Sequence, residues 1–122
     1  MITSTLCFYP TSDMNATLHF YRDIIGLTVS MESPQQCVFS SPKGNLGFVD
    51  YGDDVKAQGH ICISMNCGSR EEVDAEYERV TAMGVVAKTS PLKHPKFPVY
   101  SFFLEDPNGY TVEFQKIDGI SL

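Results

Sequence analysis

Apolar and polar residues along this chain follow two periods, one of strands and one of helices, and the order of elements they predict occurs twice. Residues 3–9 read as a strand. Asp13 then stands at a helix N-cap position. Met14, Leu18, Tyr21 and Ile25 form one helical stripe that stops at Gly26, the residue type favoured just past a helix end. Three strands are predicted near 27–31, 36–41 and 46–51, the last two joined by a turn through Ser41-Pro42-Lys43-Gly44-Asn45. The order then begins again with a strand at 60–65. Ser69 and Glu72 have the spacing of a capping box, and Val73, Tyr77 and Val80 form the stripe of a second helix ended by Gly84. Strands near 85–89, 98–104 and 110–116 follow, and the stretch 90–98, interrupted by Pro91, Pro95 and Pro98, reads as a loop.

Each half is therefore βαβββ, with modules at residues 1–57 and 58–122. Gly26 matches Gly84, and the turn at Pro42 and Gly44 matches that at Pro107 and Gly109. The expected architecture is α+β: two curled mixed sheets with one main helix each, burying apolar faces and leaving a concave cleft for a ligand.

Residues 106–114, Asp-Pro-Asn-Gly-Tyr-Thr-Val-Glu-Phe, hold the most informative turn. Pro107 pre-sets φ, Asn108 and Gly109 tolerate the left-handed region, and β-forming runs flank them, so a hairpin is predicted. Closing it with Glu105 opposite Tyr110 sets Phe102 against Glu113, Leu104 against Thr111 and Tyr100 against Gln115. Glu113 then lies among aromatic rings. A carboxylate there sits at a rim, is satisfied by a donor, or is functional; the plainer account is a glutamate on a solvated strand face.

Composition narrows the classes. The chain has 122 residues, enough for one domain with a real core. No run reaches membrane-spanning length and no basic-plus-apolar leader is seen, which sets the cytoplasm as the expected location. Cys7, Cys37, Cys62 and Cys67 show no CxxC spacing and are expected to be reduced thiols. A formal charge of −6 without a basic stripe argues against nucleic acid; at long range it favours a cationic small molecule, and ordinary solubility explains the same charge.

Three segments in order, Phe20-Tyr21-Arg22-Asp23-Ile24-Ile25-Gly26-Leu27, Gly59-His60-Ile61-Cys62-Ile63-Ser64 and the 106–114 turn and strand, make the chain resemble the vicinal oxygen chelate superfamily. That family includes glyoxalase I, extradiol dioxygenases, fosfomycin-modifying enzymes and bleomycin resistance proteins. The resemblance implies a single glyoxalase-like domain over 1–122. Metal-using members hold a divalent ion with side chains from the first and last strand of each module. His60 and Glu113 match two of those positions, whereas the internal repeat puts Leu6 and Phe48 at the others. Hydrocarbon cannot ligate a metal, so no metal or other cofactor is expected; His60 and Glu113 would be the ligands if one were present, with Gly47, Val49 or Asp50 replacing Phe48 if the register slips.

Cys62 and Ser64 alternate onto the face of His60, while Ile61, Ile63 and Met65 point the other way. Two accounts of His60 stand side by side: a histidine hydrogen-bonded to Glu113 without a further role, or an acid/base pair in which the carboxylate orients the ring. His19 is expected at the surface, and the loop with Lys93, His94 and Lys96 either is solvated or brings donors to an anionic substrate. Two functions of different class follow from the resemblance. One is a metal-independent small-molecule binder whose cleft is lined by Phe8, Phe48, Cys62, Tyr100, Phe102 and Gln115; the other is a lyase or isomerase related to glyoxalase I that uses His60 and Glu113. The uncharged first strand, which carries Phe8 and Tyr9, leads to the expectation of a homodimer, with no nucleic-acid or membrane partner.

Overall fold

Aromatic side chains determine how each sheet meets its helix. In the computed structural model, residues 1–54 and 60–122 are described, and the chain divides into two compact units, Met1–Ala57 and Gln58–Leu122. Gly59 of the Gly-His-Ile motif lies outside the described residues.

The first unit runs β1 (Cys7–Pro10), α1 (Met14–Leu18), a π-helical stretch (His19–Ile25), β2 (Thr28–Ser33), β3 (Gln36–Ser41) and β4 (Gly44–Val49). Its sheet has the order β1-β4-β3-β2, with β1 parallel to β4 and the other pairs antiparallel. Asp13 caps α1 by accepting from the Ala16 N–H at 3.0 Å. Gly26 ends the helical run at φ 96°, where its N–H and that of Leu27 both reach the Tyr21 carbonyl. Under the helix, the Tyr21 ring lies 4.8 Å from Phe48 and 5.6 Å from Phe39, and all three are fully buried.

The second unit runs β5 (Cys62–Asn66), α2 (Arg70–Ala82), β6 (Leu92–Lys93), β7 (Val99–Glu105) and β8 (Thr111–Ile117). Its order, β5-β8-β7-β6 with β5 parallel to β8, repeats that of the first sheet. Ser69 caps α2 through the Glu72 N–H, and the Glu72 carboxylate reaches back to the Gly68 N–H rather than to that of Ser69. Tyr77 on α2 meets Phe102 edge-on at 5.2 Å, Phe102 stacks on Phe114 at 5.1 Å, and Val73, Val80, Leu104 and Val112 complete the core. Tyr100 tethers the same face: its hydroxyl donates to Asp74 at 2.6 Å and the Arg70 guanidinium lies over its ring.

The strand expected at 85–89 is not one. Lys88 donates to the Phe103 carbonyl, and Thr89 accepts from the Phe103 N–H, but regular pairing with β7 starts only at Leu92 and Lys93, inside the stretch read as a loop. Pro91, which has no N–H to give to a ladder, lies between the two contacts.

The hairpin register also differs from the expectation, by one residue. Glu105 pairs with Thr111, Leu104 with Val112, Phe103 with Glu113, Phe102 with Phe114 and Tyr100 with Lys116. The cause is the turn. The Asp106 N–H donates to the Tyr110 carbonyl, and the buried Asp106 carboxylate accepts from the N–H groups of Asn108 and Tyr110, each at 2.8 Å. Only Pro107, Asn108 and Gly109 remain as the loop, with Gly109 at φ 88°, the geometry of a three-residue hairpin connection. Asp106→Ala should therefore lower stability by about 2 kcal/mol, because it strands two turn N–H groups. Urea unfolding checks this; an unchanged midpoint would show that the register has another source.

Candidate binding site on the second unit

Residues paired across a ladder share a face, so the observed register assigns the side chains. In the second sheet Ser64 pairs with Glu113, which pairs with Phe103; Cys62 pairs with Thr111, which pairs with Glu105; Asn66 pairs with Gln115, which pairs with Ser101. This is the face turned away from α2. Glu113 is half-buried, and its Oε1 accepts from the Ser64 hydroxyl at 2.5 Å. Cys62 Sγ lies 3.8 Å from that hydroxyl, and Gln115 Nε2 donates to Asn66 Oδ1 at 3.0 Å. Burial, and next the Glu113 carboxylate, raise the Cys62 thiol above its ordinary range. The sulfur therefore stays protonated near neutrality, as a weak donor rather than a nucleophile. Burial pushes Cys37 and Cys67 up to about 11 in the same way.

Of the residues expected to form a site, the structure brings Cys62, Glu113 and Gln115 onto this face. Phe102 and Tyr100, expected beside them, lie on the α2 side: Phe102 is core, and Tyr100 is committed to Asp74, which raises the pKa of its hydroxyl. Phe103 takes the place expected of Phe102, directly across from Glu113. The missed signal was the turn chemistry, since an Asp side chain that closes its own loop shortens it by one residue. His60 lies before β5, at φ 70°, an uncommon conformation for a residue with a Cβ. The residue opposite Glu113 is Ser64; His60 is four residues earlier in the chain, ~13 Å along an extended strand. His19 is exposed and bonded to Asp23 at 3.0 Å. Lys93 is spent within its own loop, donating to the carbonyls of His94 and Phe97 at 2.9 and 2.7 Å.

The first unit carries different chemistry at the same level. Phe8 pairs with Gly47, Gly47 with Val38 and Val38 with Met31, a row that crosses all four strands. Phe48, fully buried against Tyr21, points to the helix. Gly47 is the counterpart of Glu113, because Ser41 pairs directly with Gly44 across a two-residue turn whereas the other hairpin has three loop residues. A Cβ on Gly47 would lie 2.5 Å from Phe8 Cδ1, so the Phe8 ring occupies the space an acidic side chain would need.

Two four-stranded mixed sheets of the same topology, each backed by a helix and each with one parallel pair, define the paired βαβββ class of α+β proteins. Residues 4–114 match the Glyoxalase/Bleomycin resistance protein/Dioxygenase superfamily, and the chain belongs to that family. A lactoylglutathione lyase of Neisseria meningitidis serogroup A is 29% identical over 132 residues, covering 88% of this chain and 86% of the relative. Among solved structures, a lactoylglutathione lyase from Agrobacterium tumefaciens superposes with a TM-score of 0.80 at 21% identity, covering 97% of both chains. A glyoxalase/bleomycin resistance protein/dioxygenase from Nocardioides gives 0.79 at 23% identity, covering 99% of this chain and 87% of the other. At these identities the two structures establish the fold alone.

Members of this family bind small molecules and often use a divalent metal ion. The donors here do not fit that ion well. Glu113 is engaged by Ser64, Ser64 rather than His60 stands opposite it, the first unit offers Leu6 just ahead of β1 with Phe8 and Gly47 in its sheet, and no three of His, Cys, Asp and Glu come together among the described residues. Among the described residues no helix is long and apolar enough to cross a membrane.

The observed faces predict a stability contrast. Phe48→Ala and Phe102→Ala should each cost about 3–5 kcal/mol as buried rings, whereas Phe103→Ala should cost about 1 kcal/mol. Denaturant melts of the three variants test this, and equal losses for Phe102 and its neighbour would contradict the face assignment.

Proposed function

We propose that this protein binds a small molecule at the Glu113 face of its second sheet, without the complete metal site of the family's metal-using members. The observation that carries the reading is Gly47 under Phe8: a position equivalent to Glu113 holds no side chain, and an aromatic ring fills the space. Ser64, Thr111 and Gln115 supply hydrogen-bonding groups and Phe103 supplies apolar surface, the mixture that small-molecule sites use. Phe8, 42% exposed, offers a second aromatic surface in the first unit.

A second reading is favoured by the lactoylglutathione lyases at 29% identity: a lyase or isomerase that uses Glu113 with His60, with a divalent metal or as an acid/base pair. One experiment separates the two. Untagged protein should contain well under one equivalent of nickel, zinc or iron, and should give no turnover with methylglyoxal and glutathione when these metals are added. Full metal occupancy together with turnover would establish the lyase instead.

The reading also holds the protein to be a cytoplasmic homodimer. Four free thiols suit a reducing compartment. Strand β1 lies at the edge of its sheet without a charged residue, with Phe8 exposed on it and Leu6 exposed just before it, and family members often dimerise. Light scattering across a micromolar concentration series should give twice the 13.6 kDa chain mass; a single-chain mass throughout would reject the dimer.

A further inference from the structure

We infer that the Glu113 face recognises an organic cation, a small molecule with an ammonium or amidinium group beside an apolar or aromatic frame. The inference rests on the reading of this face as a small-molecule site and adds the charge of the ligand. Three observations carry it. First, the immediate neighbours of the Glu113 carboxylate are neutral: the Ser64 hydroxyl at 2.5 Å, and the Cys62 thiol next to it. Such donors hold the carboxylate in place without cancelling its charge, and among the described residues no basic side chain forms an ion pair with it. A half-buried carboxylate without a counter-ion is open to a charge-assisted hydrogen bond from a ligand cation.

Second, Phe103 pairs directly with Glu113 on the same face. Its ring presents a negative quadrupole to a cation and apolar area to the frame that bears it, so carboxylate and ring favour the same kind of group. Third, the electrostatic surroundings are acidic on balance. The diagonal neighbour on this face, Glu105, is also acidic; among the described residues it pairs with Lys88 at 3.8 Å, both side chains exposed, and the chain carries a formal charge of −6. An anionic ligand would meet repulsion from both glutamates, and among the described residues no cluster of His, Cys, Asp and Glu supplies the further donors a metal ion needs.

The test uses three probes on one phenylethyl frame: phenethylammonium, 2-phenylethanol and phenylacetate, titrated into the full-length protein by calorimetry. The ammonium compound should bind about tenfold more tightly than the alcohol, with phenylacetate weakest, and added salt should shrink the difference. Glu113→Gln should abolish the advantage of the ammonium compound over the alcohol. Should that variant fold poorly, the charge series and its salt dependence on the native chain carry the same test. Equal affinity across the probes, a preference for phenylacetate, or a cation preference that survives Glu113→Gln would overturn the inference while leaving the binding reading in place. No binding by any probe at millimolar concentration overturns it as well, and if stoichiometric metal and lyase turnover accompany that result, the binding reading falls with it.

Discussion

The buried carboxylate of Asp106 sets the register on which the second unit depends. By accepting the N–H groups of Asn108 and Tyr110 while its own N–H reaches the Tyr110 carbonyl, it closes a loop of three residues and makes Glu105 and Thr111 the first ladder pair. Side chains alternate along strands with a period of two, so this one contact decides which half of β7 becomes core. With it, Phe102 and Leu104 pack under α2, and Ser101 and Phe103 share a face with Glu113. A loop one residue longer would exchange the two sets, burying Phe103 and Glu105 under the helix, where the glutamate would lose its water.

The same alternation explains how two halves of one topology carry different chemistry. Each sheet commits one face to its helix, and there both halves use large apolar side chains: Phe39 and Phe48 in one, Phe102, Val112 and Phe114 in the other. The opposite faces are not needed to hold the helices, so they are free to differ. In the first unit that face is the apolar row Phe8, Gly47, Val38 and Met31; in the second it is Ser64, Glu113 and Phe103. Family membership rests on the match over residues 4–114, and the fold by itself does not fix the chemistry.

Rigidity around Glu113 comes from neutral groups. Ser64 fixes one carboxylate oxygen, Gln115 is held by Asn66 one pair further along, and the Cys62 thiol is kept protonated by burial and by the glutamate itself. A thiol kept protonated in this way is a weak donor rather than a nucleophile.

What the residues determined by themselves was local. Asp13 and Ser69 start the helices, Gly26 ends the first of them, and the repeated βαβββ order with its glycine-containing turns is legible because caps, stripes and turns act over a few residues. Glu113 and Cys62 could be read as candidates from their place among apolar neighbours. The side on which Tyr100, Phe102 and Phe48 would lie was not legible, nor was Ser64, rather than His60, standing opposite Glu113. Those outcomes turn on a single residue of register, set by a buried side chain bonding to backbone in one hairpin and by a tighter turn in the other. Strand pairing joins residues distant in the chain, and only the tertiary structure decides which of two adjacent registers buries the rings and leaves the carboxylate at the surface.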